Sequence, residues 1–350
     1  MCDGDAEKAA SPIEGLFRDS NSVLRQKPYA YAFCLTSVHH LCTALINTVR
    51  LRKLHCFQEA DIVALVPKSW GPIIQRTMRS NSMHDLQQWA VQAVQDPVTE
   101  TTPESVRKLR EQHKQPPIFQ GVALADYDLV GMLARMIALG VVFRPSDVFE
   151  HLPGNINTTH HQREATSKLH LFGLIEYKQV LYLDADGLIL QNLDAVFNLS
   201  ATPLALLPKE VTGAEGEEYS TRLMLVQPSK AVQAQLQFVV EKDLDFNDAR
   251  ILSEFFSGQI QNLSKTMALQ SYKLIMPNHD AIIASELLRE ALYVHLYDGA
   301  GLPRHWQWAQ PSSIPKVLAI CTELCDERMS WLHVYSMLAR ERGSLCLHQR

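Results

Sequence analysis

The stretch VLYLDADGLILQNLDAVF, residues 180–197, constrains the chain more than any other. VLYL is purely apolar, the pattern of a strand covered on both faces, and such strands belong to parallel sheets. Asp184 and Asp186 follow it directly and so stand at its carboxyl end, where open α/β sheets bind their ligands. In an extended chain residues i and i+2 point the same way, so both carboxylates can face one cation. That arrangement suits a hard divalent ion, magnesium or manganese, which takes oxygen from one or two carboxylates and keeps positions open for phosphates. The plain structural alternative is a strand end followed by a turn at Gly187. Spacing alone does not choose between them, because Asp3/Asp5, Asp126/Asp128 and Asp243/Asp245 share it without a buried strand in front. After the acidic turn, LIL reads as a second short strand, and Asn192 or Asp194 as the cap of a helix that begins at AVF.

The flanking sequence predicts a single mixed α/β body. YAYAFCLTSV reads as a strand, and HLCTALINTVRLRKL repeats apolar residues at Leu41, Leu45 and Val49, the spacing of a helix with one buried face. DIVALVPKSW returns to a short apolar run that stops at Pro67, which completes a βαβ unit. Residues 71–130 are Gln-rich, charged and broken by prolines, and read as an insertion carrying one or two exposed helices. DLVGMLARMIALG is a helix stopped by Gly140, VVFRP a strand, and EATSKLHLFGLIEY a helix with Leu169, Phe172 and Ile175 on one side. Further on, TPLALLP, STRLMLVQP, YKLIMP and LYVHLY read as strands, and KAVQAQLQFVVEK and DARILSEFFSG as helices. The end of the chain predicts one more helix with Trp331, Val334, Tyr335 and Leu338 as its stripe. No internal repeat is present, which excludes solenoids and propellers.

Composition removes several classes. With 33 Lys+Arg against 38 Asp+Glu, and no run of basic residues, the chain lacks the electrostatic footprint of a nucleic-acid binder. LVGMLARMIALGVVF is too short for a membrane span and carries Arg135. The polar, acidic start MCDGDAEKAASPIEG does not read as a signal peptide, so the expected compartment is the cytoplasm. Cys34, Cys42 and Cys56 lie in apolar surroundings and read as buried free thiols in a reducing compartment. Cys321 and Cys325 lack a second pair with zinc-ligand spacing. Three Asn-x-Ser/Thr sequons begin at Asn157, Asn198 and Asn262, and without an entry signal they carry little weight.

The acidic segment resembles the signature of glycosyltransferase family 8, the glycogenin-like retaining transferases. Their pattern runs apolar strand, Asp-Ala-Asp, apolar strand, Asn-Ile/Leu-Asp. SKLHLFGLIEYKQV is similar to the family's Thr-Lys-Leu helix, and FCLTSVHHLCTALINTVRLRKL to its first strand and helix. The resemblance covers roughly residues 28–200 and continues more faintly to about 308. It implies a GT-A type, Rossmann-like mixed sheet flanked by helices. The organisation that follows is a polar tail at 1–27, a catalytic domain at 28–310 and a helical C-terminal extension at 311–350. The domain divides into a nucleotide-binding half at 28–200, interrupted by the insertion, and an acceptor half at 201–310.

Residue by residue, the resemblance implies that Asp184, Asp186 and His295, the last in ALYVHLYDG, hold manganese or magnesium. Asp184, Ala185, Asp186, Thr36, Ser37 and His40 match positions that contact the nucleotide of a UDP-sugar donor. Lys168 matches a lysine beside the donor sugar, FNDARILSEFF places Asp248 nearest that sugar with Asp245 three before it, and Arg304 is the one basic candidate after the histidine. The implied activity is metal-dependent, retaining transfer of a sugar from UDP to a carbohydrate, polyol or protein acceptor. The length and polarity of the 71–130 insertion separately suggest a site for a protein partner. Departures exist. Ser220, Thr221 and Arg222 stand where relatives have Asn-Ser-Gly, Ala249 replaces a glutamine, and DGAGLPRHW replaces a closely spaced Gly-x-Lys-Pro-Trp. They raise a second reading, a catalytically impaired member that binds metal and nucleotide as a regulatory or scaffold protein.

Overall fold

The computed structural model describes residues 27–54, 59–79, 83–95, 127–146, 167–199, 202–208, 218–242, 247–270, 290–296 and 329–347. Strand β1 (Tyr29–Cys34) leads through helix α1 (Val38–Leu54) to β2 (Ala60–Pro67), and β1 and β2 pair in parallel. This is the expected βαβ unit. Helices α2 (Gly71–Met78), α3 (Met83–Gln95) and α4 (Leu129–Ala138) follow, then β3 (Val141–Ser146), parallel to β2. β4 (Gln179–Leu183) returns to the other side of β1, again in parallel, with Tyr31 level with both Ile62 and Leu181. Strands β6 (Leu204–Pro208) and β7 (Tyr219–Val226) add antiparallel partners. The short β8 (Ile260–Asn262) pairs in parallel with β6 and closes that edge.

The seven strands lie in the order β3-β2-β1-β4-β7-β6-β8. A smaller sheet, β5 (Gly187–Ile189), β10 (Tyr293–His295) and β9 (Ala268–Gln270), sits where the acidic turn leaves β4. Helices α5 (Lys230–Lys242), α6 (Asp248–Phe255) and α7 (Met329–Leu345) complete the described elements. The fold is mixed α/β, a predominantly parallel sheet with helices on both faces, as the pattern of apolar runs predicts.

Strand alternation divides the core in two. Tyr31, Phe33, Ile62, Ala64, Leu181, Leu183 and Leu225 face one layer, with Leu41, Leu45 and Val49 of α1 and Met132 and Met136 of α4. Ala30, Ala32, Val63, Leu65, Val180, Tyr182 and Met224 face the other, against Phe172, Leu236, Ile251 and Phe256. Helix α1 is buried from His40 to Leu51, beyond its single predicted stripe. Three polar residues explain how it tolerates this. Asn47 donates to the Gly187 carbonyl and accepts from Ile189 N–H, Arg50 donates to the Ile189 carbonyl, and Thr48 donates back to Ala44.

Several expectations need correction. The start of the proposed insertion forms two helices as expected, and each rests one face on the main core through Ile74 of α2 and Ala90 of α3. The predicted helix EATSKLHLFGLIEY contracts, within the described residues, to a 3-10 turn over Lys168–Gly173; Leu169 and Phe172 are buried but Ile175 is 46% exposed. Cys42 is not a free thiol. It is joined to Cys346 in a disulfide that spans 304 residues of sequence, whereas Cys34 remains a buried thiol. Neither β8 nor β9 is visible in the apolar pattern, since IQN and ALQ are only three residues long and each ends in a polar side chain. YKLIMP, Cys56, Cys321, Cys325, Asn157, Trp331 and Tyr335 fall on positions whose structure or side chains lie outside the description. Val334 and Leu338 of α7 are buried as expected, and Met337 joins them.

Candidate functional site

The sheet order reverses between β1 and β4: the chain steps from β1 to β2 and β3 on one side, then to β4 on the other. The carboxyl ends of these two strands therefore flank the crevice where doubly wound sheets bind ligands. Thr36, Ser37 and His40 follow β1, and Asp184 and Asp186 follow β4, so topology alone brings these five residues to one rim.

Each side chain is held by a local device. Ser37 caps α1, its Oγ accepting the His40 N–H at 3.2 Å. Thr36 Oγ1 lies 2.8 Å from His40 Nδ1, which fixes the ring so that His40 Nε2 sits 3.6 Å from Asp186 Oδ1. The Asp184 N–H donates to the Arg222 carbonyl of β7, and the Asp186 carbonyl accepts from Leu296 N–H. That second bond follows from the β5–β10 pairing, in which His295 lies opposite Gly187. His295 is thereby carried to the acidic turn, its Nε2 3.4 Å from Asp184 Oδ2. The Tyr293 hydroxyl donates to the Asp184 carbonyl at 2.6 Å. A Cβ on Gly187 would collide with the Tyr293 ring, so this close approach requires glycine there.

A second cluster stands beside the first. Lys168 Nζ is 3.0 Å from Asp248 Oδ2 and donates to Thr221 Oγ1 at 3.1 Å, while Thr221 donates to the same carboxylate at 2.6 Å. Asp248 is placed by the start of α6, where the Asn247 side chain accepts the N–H groups of Ala249 and Arg250. Lys168 also lies 5.5 Å from the centre of the Tyr182 ring.

The electrostatics follow from burial against charge. Burial works against ionisation of Asp184, but Lys168, His295 and His40 outweigh it and hold the carboxyl below the usual range. Asp248 is likewise held low despite burial, by Lys168 and the Thr221 hydroxyl. Burial pulls the Lys168 ammonium down, yet the charges of Asp248 and Asp184 leave it above the ordinary lysine value. His295 is pushed down to about 4 by burial and by the Arg222 guanidinium, so its imidazole is neutral near pH 7.

Among the described residues, no three His, Cys, Asp or Glu side chains converge on one point to hold a metal ion as they stand. They stand as two pairs, His295 with Asp184 and His40 with Asp186. The donor chemistry nevertheless fits a divalent ion: two carboxylates leave one turn, and both ring nitrogens of His295 are buried without a hydrogen-bond partner. Ala185 is buried between the two aspartates. Asp245 and Arg304 lie outside the described residues.

Tyr293 and Asn47 are not singled out by the sequence, and Thr221 and Arg222 enter it only as departures from the resembled Asn-Ser-Gly motif. Thr221 and Arg222 are adjacent on β7, which reaches the rim only because β7 pairs with β4. Arg222 Nη1 is buried without a hydrogen-bond partner beside the His295 end of the site. The signal for Asn47 is a polar residue in a helix buried on all sides, which apolar periodicity does not reveal.

No protein-family profile matches the chain. Glucose N-acetyltransferase 1 of Aspergillus fumigatus is 22% identical over 207 residues, covering 51% of this chain and 54% of that protein. A protein of Arabidopsis thaliana that bears the name UDP-glucuronate:xylan alpha-glucuronosyltransferase 3 is 30% identical over 93 residues, 26% of this chain and 14% of its own length. The chain thus spans about half the length of one curated relative and a small part of the other. Among solved structures, the galactosyltransferase LgtC with donor and acceptor sugar analogues aligns over 84% of this chain and 95% of its own, at 13% identity and a TM-score of 0.46. The glycosyltransferase GlyE of Streptococcus pneumoniae TIGR4 aligns over 92% of this chain and 65% of its own, at 15% identity and a TM-score of 0.44. No helix among the described residues is long and apolar enough to cross a membrane.

Proposed function

We propose that the chain is a GT-A type glycosyltransferase of the family 8 kind, which transfers a sugar from a UDP-sugar to a carbohydrate, polyol or protein acceptor with retention of configuration. The observation that carries the reading is the meeting of His295 with Asp184, two residues far apart in sequence and joined at the carboxyl end of a central strand. The family 8 resemblance implies the same two residues as ligands of one cation. The name of the Arabidopsis thaliana relative concerns transfer of a sugar from UDP, which agrees in chemical class.

Asp184, Asp186 and His295 would hold a manganese or magnesium ion. Bound there, such an ion offsets the charge that develops on the departing nucleoside diphosphate. The chain's own residues supply the rest. Thr36, Ser37 and His40 form the nucleotide side of the crevice. Asp248, kept anionic by Lys168 and Thr221, is the carboxylate offered to positive charge growing at the anomeric carbon. The bond from that carbon to the diphosphate oxygen breaks, a bond to the acceptor oxygen forms, and the acceptor proton leaves with the diphosphate. Retention requires the acceptor to enter on the face the diphosphate leaves, or a covalent stop on a carboxylate such as Asp248.

A panel of UDP-sugars, assayed for UDP release with manganese, tests the reading. Asp186→Asn is expected to abolish release seen with the wild type; equal release by both proteins defeats the assignment. Arg222, whose Nη1 is buried unpartnered next to the His295 end, favours a second reading in which nucleotide is bound without turnover. Manganese-dependent UDP binding by calorimetry, with no release from any donor, would select it.

A further inference from the structure

We propose that Asn198 and Asn262 carry N-linked oligosaccharides and that this chain folds in an oxidising, secretory-type compartment. The first observation is the disulfide. Cys42 on α1 and Cys346 just beyond α7 are both buried and bonded across 304 residues of sequence, while Cys34 stays a thiol within β1. Structural disulfides persist where thiols are not kept reduced. Forming this one takes two electrons and two protons from the two thiols, and an oxidase bearing a reducible disulfide accepts them as its own bond opens to a dithiol.

The second observation is independent and concerns the sequons. Asn198 ends the 3-10 turn Asp194–Asn198 and is exposed, while Leu199 behind it packs against the core. Asn262 is exposed at the end of β8, the edge strand, and Leu263 behind it is buried. Both asparagines thus point outward from a leucine that anchors the backbone, the placement a bulky hydrophilic group tolerates after folding. Neither crowds the acidic rim. Asn198 precedes β6, which runs in the same direction as β4, so it lies at the opposite end of the sheet from Asp184. β8 is separated from β4 by β7 and β6. In the modification, the asparagine amide nitrogen attacks the first sugar carbon of a lipid-pyrophosphate-linked oligosaccharide. The carbon–nitrogen bond forms, the carbon–oxygen bond to pyrophosphate breaks, the lipid pyrophosphate leaves and the amide loses a proton.

This assignment does not depend on the proposed transferase activity. The test isolates the full chain from the cells that make it, alkylates free thiols before reduction, and releases N-linked glycans enzymatically in heavy-oxygen water, so that each occupied asparagine becomes a labelled aspartate. Peptide mass spectrometry is expected to find label at 198 and 262, and Cys42 alkylated only after reduction. Unlabelled asparagine at both positions overturns the proposal, as does label confined to Asn157. A Cys42 thiol alkylated before reduction overturns the compartment. Asn198→Gln and Asn262→Gln should each remove one glycan from the intact mass, and a site whose variant leaves that mass unchanged is struck out.

Discussion

Lys168, which is buried, and the partly buried Asp248 form an ion pair at 3.0 Å, braced by the Thr221 hydroxyl, which bonds to both partners. Lys168→Ala leaves the partly buried carboxylate without its cation. Loss of one partner of such a pair costs about 3–5 kcal/mol, and Asp248→Asn should cost less because the amide can still bond to Thr221. A double-mutant cycle in urea checks this; additive single effects would show that the pair is not coupled. UDP release by either single variant is expected to fall by on the order of a hundredfold or more.

The same pair predicts how stability follows pH. Asp248 is held below the ordinary carboxylate value of 3.8, so at acid pH the unfolded chain takes up this proton before the folded one. The stabilisation is present above that value and is lost as pH falls through the lower folded value. Lys168 is held above 10.5, so its share is present below that pH and is lost as pH rises further. Urea midpoints measured from pH 7 to 3 should therefore decline more steeply for the wild type than for Asp248→Asn. Parallel slopes would refute the coupling.

The acidic turn predicts a metal response. Manganese should raise the thermal midpoint of the wild type by mass action on the folded state. The shift should be lost in Asp184→Asn and reduced in His295→Ala, with magnesium giving a smaller shift. An unchanged shift in both variants would remove the turn from consideration as a cation site.

The disulfide predicts a stability change that needs no ligand. A cross-link closing so long a loop is worth roughly 3–5 kcal/mol, so replacing Cys42 and Cys346 together by alanine, or reducing the bond, should lower the denaturation midpoint. Reductant should then have no further effect on the double variant. A wild type indifferent to reductant during unfolding would contradict the bond.

The α1–α7 contact can be probed separately. Arg50 is buried and bonds to Glu341 through Nε at 2.9 Å and Nη2 at 2.6 Å. Glu341→Ala should cost roughly 2 kcal/mol, as expected for charge-assisted bonds to a guanidinium left underpaired. Glu341→Gln should recover part of it.

The architecture was largely legible because its strands are apolar runs with clear ends. VLYL, LALLP and the βαβ unit each declare themselves by composition. The acidic turn was legible for the same reason, since only one Asp-x-Asp follows a buried strand. What stayed hidden depends on pairing across long distances. β8 and β9 are three residues each, too short to show an alternation of their own, and become strands only because a neighbour offers hydrogen bonds. Thr221 enters the site through the antiparallel pairing of β7 with β4, and Asn47 through the packing of α1 on β5. The bond between Cys42 and Cys346 joins residues whose spacing in the chain says nothing about contact.

Helix α1 begins at the rim with Ser37 and His40, grips β5 through Asn47 midway, and is fastened by Arg50 to α7 and by Cys42 to Cys346 just beyond it. Residues 329–346 are thus a buttress for the strand–helix unit that opens the sheet. A protein shortened before residue 329 would lose the brace behind α1, and the slack would be felt at the aspartates it helps to aim.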